Sequence, residues 1–563
     1  MAVVGDAIET SPLYSPDLAP VAAERCTWSV WNLAAVWVGM AVCIPTWLLA
    51  SYMIRSGLGW MEALAIIFIA NVIVTVPMIL NGHAGVRYRL PFAVLARAAF
   101  GISGVHGPAL VRALVACGWF GIQTWIGGLA IHAIGCVLAG VPVDAGLTPG
   151  KFVGFALSLA LNVLIIWRGI DSIRRLETLA APLLLGVGLL LAAWGAHEGG
   201  GLGTVLRQSA QLERPTLSYD AAGNLLLAPL RHGNGAIKAE EFRVGPLDDI
   251  EAAPWRILGE DGALVAAQQL PEGSLAVQFR RGGTTSSAIV PTVWANAGSK
   301  IGIWLFWTTA MVGFWATMSI SIADITRYGR SQKAQALGQL LGLPGAMLLY
   351  SFVSVFVTCA ALIGFDRILI AEDAPWDPVT LIAHFDNPLL VLAAQLTLLI
   401  ATVTTNLAAN VMAPANAFAN LRPRSLDFRR GGLITALIGV LIAPWWLFDR
   451  ISDLLVFISG LLGPVLGVML ADYYWIRRAR LSVAALFDPN GPYAYRGGVN
   501  PTAALALAAG VAIALIGYFV PWLEWLYTAS WFSGCLAAFV LYGLGARRQE
   551  AAWRRRAYVA ADS

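Results

Sequence analysis

The residues of this chain whose types and spacing could do chemistry are neutral ones. Trp119 and Gln123, in the run Gly118-Trp119-Phe120-Gly121-Ile122-Gln123-Thr124, stand four apart, which on a helix puts an indole and an amide on one face. A second concentration, Ala401-Thr402-Val403-Thr404-Thr405-Asn406 through Ala409-Asn410, gathers three threonines and two asparagines inside an apolar stretch. In a lipid environment each unsatisfied amide or hydroxyl costs several kcal/mol, so these groups must face a bundle interior, a ligand or an ion. Hydrogen bonding between helices is the competing reading. The sequence shows no HExxH, paired carboxylates, Ser-His-Asp set or Cys/His cluster, so binding rather than bond-breaking is expected, and the chain is not read as an enzyme. His132 and the six cysteines read as packing residues, and Asp324 and Asp472, beside Arg327 and Arg477, as helix-end charges in a solvated network.

The elements that position these groups follow from composition. The 563 residues are 58% hydrophobic and 12% charged with a net charge of +4, which excludes a soluble domain, a disordered chain and a basic nucleic-acid binder. A bilayer core of about 30 Å needs about 20 apolar residues per helix. Twelve segments meet or approach that length: 31–52, 61–80, 109–139, 152–167, 178–195, 301–322, 337–364, 389–413, 433–448, 453–471, 502–520 and 526–545. Basic residues in short loops stay cytoplasmic, and with the N-terminus inside, the arginine-rich loops at 87–97, 168–175, 327–333, 422–430 and 477–496 all fall on that side. The opposite loops hold few bases and gather Glu372, Asp373, Asp377 and Asp386. Both termini are therefore expected in the cytoplasm of a multi-pass inner or plasma membrane protein.

The chain divides into a cytoplasmic N-terminal tail (1–28), five spans (29–198), an extracytoplasmic insertion (199–299), five spans (300–472), a cytoplasmic loop (473–500), two spans (501–545) and a C-terminal tail (546–563). The insertion contains alternating pieces such as Leu275-Ala276-Val277-Gln278-Phe279, expected to be a small, partly β unit that serves as a tolerated loop, a lid or a docking element. Two spans are breakable. Val42-Cys43-Ile44-Pro45-Thr46 carries a proline that frees a carbonyl, and Gly313-Phe314-Trp315-Ala316-Thr317 carries a soft glycine. These are the first and sixth spans, the separation expected of two inverted five-helix repeats whose broken first helices line a midplane site.

Several runs taken together resemble the nucleobase:cation symporter-1 family. They are Tyr88-Arg89-Leu90-Pro91-Phe92 to Phe100-Gly101, the Trp119 run above, Gly313 through Tyr328, Thr404-Thr405-Asn406 with Ala408-Ala409-Asn410, and Gly463-Pro464 to Ala471-Asp472-Tyr473-Tyr474 before Arg477-Arg478, followed by Asp488-Pro489-Asn490-Gly491. The match runs in order from about 25 to 545, and the departure is the 199–299 insertion. The resemblance implies an all-α membrane protein of twelve transmembrane helices, a LeuT-type five-plus-five inverted repeat plus two C-terminal helices, working by alternating access. It implies uptake of a planar nitrogen heterocycle such as a nucleobase, allantoin or a hydantoin. The family's stacking tryptophans fall on Trp119 and Trp315, beside Gly313 and Phe314, and its amide ligands on Gln123 and Asn410. Its sodium ligands fall on Thr404, Thr405 and the carbonyl of Ala401, with span-one carbonyls near Ala41 and Ile44. Pro45 stands where the family often has a polar substrate ligand.

The chemistry of these residues agrees. Two indoles can hold a flat ring, each favourable aromatic pair adding about 0.5–1.5 kcal/mol beyond burial. Gln123 and Asn410 can read an N–H/C=O edge. Ala401, Thr404 and Thr405 share a helix face, so their oxygens can converge on a small hard cation, for which sodium fits better than a proton in the absence of a central carboxylate. The alternatives are proton coupling, another solute on the same fold (thiamine-like or an amino acid), and a receptor or sensor that uses the external insertion.

Overall fold

The computed structural model describes residues 8–559 except 144–145, 169, 214–215, 221, 271–273, 291–299, 375, 386 and 423–424. The end of the insertion, Asp386 and Arg424 thus lie outside the described residues. The main helices in chain order are α1 Val30–Ala41, α2 Ile44–Arg55, α3 Trp60–Tyr88, α4 His106–Ala139, α5 Pro149–Arg168, α6 Ile170–Glu198, α7 Lys300–Phe314, α8 Ala316–Ser321, α9 Gln332–Gly364, α10 Pro388–Asn410, α11 Met412–Leu421, α12 Phe428–Leu441, α13 Ile451–Leu470, α14 Pro501–Phe519 and α15 Ser530–Val559. Each of the twelve expected apolar segments falls on one or two of these. Among the described residues, seven helices are long and apolar enough to cross a membrane singly, and two bent pairs bring the number to nine. α7 and α12 stop at 15 and 14 residues.

Local sequence explains the helix ends that matter. α1 opens with a reciprocal cap in which the Ser29 hydroxyl accepts from the Asn32 amide while the Asn32 side chain accepts from Ser29 N–H. Pro45 sits in the first turn of α2, where its missing N–H is not needed, so the chain breaks just before it, at Val42–Cys43, and the two halves meet at 61°. The Asn387 side chain caps α10 ahead of Pro388, accepting from Leu389 N–H at 3.0 Å. The second break falls on Trp315 (φ −100°, ψ 5°), between α7 and α8. α9 packs against α1 and α3, and α10 against α4, so the two broken segments lie within one core.

One expectation is corrected by burial. Asp472 and Arg477 are 3% and 4% exposed rather than solvated, and pair at 2.7 Å (Arg477 Nε to Asp472 Oδ2). Tyr542 of α15 donates to the other carboxylate oxygen at 2.7 Å, and the Tyr495 hydroxyl accepts from Arg477 at 2.6 Å. Asp324 is likewise buried, at 6%. The pair is covered because chain that comes later in the sequence folds back over it.

The insertion is a small β unit, as the alternation at 275–279 indicates. Its strands are β1 Leu217–Tyr219, β2 Leu225–Leu227, β3 Glu241–Pro246, β4 Arg256–Ile257, β5 Ala263–Val265, β6 Leu275–Arg281 and β7 Thr284–Thr285. They form two antiparallel sheets, ordered β1-β2-β5 and β4-β3-β6-β7, with Phe242 facing Phe279 and Val244 facing Val277 across β3 and β6. Leu225, Leu227, Phe242, Val277 and Phe279 bury against Leu369 and Ile370, which follow α9. Lys238, fully buried, donates to the carbonyls of Leu362 and Phe365 at 2.7 and 2.6 Å and so closes the C-terminal end of α9.

Candidate functional site

The break between α1 and α2 determines which oxygen it releases. In an unbroken helix the amide of Cys43 would bond the carbonyl of Gly39. At the break it turns instead to Ala41 O, at 3.0 Å, and Gly39 O is left over. The Thr405 hydroxyl of α10 takes it, at 3.3 Å. Beside it, Thr404 Oγ1 donates to the carbonyls of Ile400 and Ala401, each at 2.9 Å. Thr404 and Thr405 are each 3% exposed. With their protons spent on carbonyls, both hydroxyls keep lone pairs, and a set of buried neutral oxygens on α10 meets the open end of α1. Such a set fits a small monovalent cation. The α1 oxygen brought to Thr405 is that of Gly39. Ala41 O accepts from the Cys43 amide and keeps a second lone pair, as Ala401 O does beside Thr404, and Ile44 begins α2.

The aromatic residues form a continuous chain of rings. Trp119 and Trp315 make no ring contact with each other. Phe314 lies between them, 5.3 Å from Trp119 and 4.8 Å from Trp315 by ring centroids, in edge-on geometry. Trp37 of α1 backs Trp315 edge-on at 5.2 Å. Gly313 is needed where it stands, because a Cβ there would lie 2.1 Å from Ser459 Oγ and 2.6 Å from Leu455 O of α13. Close approach of α13 therefore sets where α7 ends and where Phe314 and Trp315 are held.

Two polar groups in this neighbourhood are left without partners. Gln123, 4% exposed, makes no hydrogen bond among the described residues, and its Oε1 is fully buried. Trp315 Nε1 is buried and equally unpartnered. Asn410, at the C-terminal end of α10, donates through Nδ2 to Asn406 Oδ1 at 3.1 Å. Each unmet buried group is costly in the protein alone and is repaid by a ligand that supplies its partner.

On the side of the N-terminal tail a cavity of about 60 Å³ adjoins this region, lined by Met40, Arg112, Met318, Ser321, Asp324 and Ala409 together with Trp28 and Tyr328, whose tilted rings lie 5.4 Å apart by centroids. Arg112 is 1% exposed. It donates through Nε to Ser321 Oγ at 3.2 Å, and its Nη1 has no partner. The sequence reading passed over Arg112 although a lone arginine in an apolar segment is a signal. It also passed over Asn162, an amide inside the apolar stretch 152–167 and so a signal of the same kind as Gln123, and over Trp37, for which no comparable signal exists.

The model of the family of permeases for cytosine/purines, uracil, thiamine and allantoin matches residues 20–222 and 269–534, leaving 223–268, most of the β unit, between its two parts. The allantoin permease of Bacillus subtilis is 32% identical over 544 residues, covering 95% of this chain and 93% of its own. The purine-uracil permease of Arabidopsis thaliana is 32% identical over 518 residues, covering 90% and 72%. The solved structure of Mhp1, a nucleobase-cation-symport-1 family transporter, closed with bromovinylhydantoin bound, shares the fold at a TM-score of 0.67 and 22% identity, over 96% of both chains.

Proposed function

Because the chain belongs to the family of permeases for cytosine/purines, uracil, thiamine and allantoin, a family of membrane transporters and not of enzymes, we propose that it is a secondary active symporter importing one planar nitrogen heterocycle, a nucleobase, allantoin or a hydantoin, together with sodium. The observation that carries the reading is the contact from Thr405 to the released Gly39 carbonyl. It supports an all-oxygen, uncharged cation site on the same helix as the Asn410 amide.

The ring would lie among Trp119, Phe314 and Trp315, with Gln123 and Asn410 on its polar edge. Stacking supplies affinity without much selectivity, and the amides supply selectivity. A cation between Gly39, Ala401, Thr404 and Thr405 would tie α1 to α10 and favour the arrangement that holds the ring, and by linkage the ring would raise cation affinity by the same factor. The names of the B. subtilis and A. thaliana relatives support ureides, purines and uracil as the first substrates to try. We further take the architecture to be twelve spans in two inverted five-helix repeats plus two, with both termini cytoplasmic and the β unit outside. Labelling of single cysteines placed at Ser11 and in the β7 turn, from either side of the membrane, tests that.

The functional test is tryptophan fluorescence of the purified protein against uracil, cytosine, allantoin, benzylhydantoin, adenine and thiamine, with and without sodium. Saturable quenching tightened by sodium is expected, lost in Trp119→Ala and Trp315→Ala. In Thr404→Ala and Thr405→Ala quenching should persist while the sodium effect disappears. Undiminished sodium stimulation in both threonine variants would overturn the cation site, and binding by thiamine alone would overturn the substrate class.

A further inference from the structure

Behind Asn410 runs a line of three buried asparagines whose amides are all oriented by their neighbours. It starts on α5, where Asn162 Nδ2 donates to the Ser158 carbonyl at 2.9 Å. A carbonyl can only accept, so the Asn162 amide cannot be turned round, and its Oδ1 faces α10. There it meets Asn406 Nδ2 at 3.3 Å. The same nitrogen lies 3.2 Å from Phe120 O and 3.1 Å from Thr124 Oγ1 of α4. Thr124 has already given its own proton to Phe120 O, at 2.7 Å, so all three neighbours of Asn406 Nδ2 are acceptors. A reversed Asn406 would set its oxygen against two carbonyl oxygens. Its Oδ1 must therefore point at Asn410, which must answer with Nδ2, at 3.1 Å. The three side chains are 1%, 0% and 6% exposed, so water does not offer an alternative partner. At the end of the line, Asn410 Oδ1 has no partner among the described residues.

We propose that Asn162 and Asn406 are positioning residues that fix the polarity of Asn410, so that the binding site always presents a carbonyl oxygen at that point and selects rings that bring an N–H to it. Gln123 has no such brace, since its side chain makes no hydrogen bond among the described residues, and it can turn either end to the ligand. The site thus reads one position of the ring edge strictly and the next one loosely. Neither Asn162 nor Asn406 needs to touch the ligand, and the inference rests on the heterocycle reading given above.

Uracil with cytosine, and hypoxanthine with adenine, are near-isosteric pairs in which one edge carries N–H beside C=O or bare N beside NH₂. They report amide polarity directly. Dissociation constants for the four rings are to be measured on the wild type, Asn406→Leu and Asn162→Leu by the same fluorescence quenching. The wild type should favour the same member of each pair by about tenfold or more, the oxo member where Asn410 Oδ1 faces the ring nitrogen and the amino member where it faces the exocyclic group, a ratio equivalent to about 1.4 kcal/mol. In Asn406→Leu the Asn410 amide is free to turn and the ratio should fall below about threefold. In Asn162→Leu, where Phe120 and Thr124 still hold Asn406, it should fall part of the way. A purely structural role would weaken all four rings alike and leave the ratio unchanged, and an unchanged ratio in either folded variant overturns the proposal. A wild type that shows no preference within either pair, or opposite preferences in the two pairs, overturns it without any variant. If none of the four rings binds the wild type, the heterocycle reading fails and this inference with it.

Discussion

Replacing Gln123 by Leu should make the ligand-free protein more stable while it weakens binding. Gln123 Oε1 is fully buried and makes no hydrogen bond, so in the empty protein the amide carries an unrecovered desolvation cost of about 1–3 kcal/mol. Leucine fills a similar volume and removes that cost. With ligand bound the same amide becomes paired, and its loss should raise the dissociation constant by the same 1–3 kcal/mol, about 5- to 150-fold. Its neighbour supplies the control. Thr124, one residue on, donates to Phe120 O at 2.7 Å and accepts from Asn406 Nδ2 at 3.1 Å, so Thr124→Val breaks satisfied bonds and should destabilise by about 1–3 kcal/mol. The assay is thermal unfolding in detergent, without ligand and with it at saturation. For Gln123→Leu the ligand-free midpoint should rise and the ligand-induced shift should shrink, and for Thr124→Val the midpoint should fall. A ligand-free Gln123→Leu protein that melts below wild type would show that the amide is satisfied in the empty state, and the argument that its orphaned oxygen marks the ligand would fail.

The remaining predictions concern the supports of the site. Asp472→Asn leaves the buried Arg477 guanidinium without its counter-charge and should destabilise by about 3–5 kcal/mol, whereas the double change Asp472→Leu with Arg477→Met should recover most of that, and equal melting of the two would contradict a buried pair. Lys238 should make stability depend on pH. Burial lowers its ammonium from the usual 10.5 to about 8, so between those values the unfolded chain holds the proton that the folded chain has given up. Stability then rises with pH across that window by at most about 1.4 kcal/mol per unit, with the cost of the buried charge fully present below it. Lys238→Met lacks this rise, and parallel pH–melting curves for wild type and variant would refute it.

What was legible in the sequence is what depends on neighbours along the chain. Pro45 cannot donate, so a break near it was readable, as were the twelve apolar stretches and the alternation of β6. Which carbonyl the break would release was not, because that turns on Cys43 folding back to Ala41 two residues earlier. The resemblance pointed to Trp119, Trp315 and Phe314 as candidates for ring contact, but that Phe314 comes between the two indoles and Trp37 behind Trp315 is set by packing across helices. Asp472 and Arg477 looked solvated at a helix end because nothing local indicates that Tyr495 and Tyr542 close over them.

The polar run of α10 shows most clearly why its two readings could not be separated beforehand, since interhelical bonding accounts for some of its residues and not for others. Positions 402, 406 and 410 are spaced by four and form one stripe, and 401 and 405 form the stripe beside it. On the first, Thr402 satisfies itself on Leu398 O at 2.7 Å, Asn406 bonds α4 and α5, and Asn410 keeps a side-chain oxygen with no partner among the described residues. On the second, Thr405 reaches α1 and Ala401 offers its carbonyl to Thr404. Interhelical hydrogen bonding therefore accounts for the part of the cluster that holds α10 against α4 and α5. What it leaves unexplained is the end of one stripe and the α1-facing side of the other, which are the two places where a ring and a cation would act on the same helix.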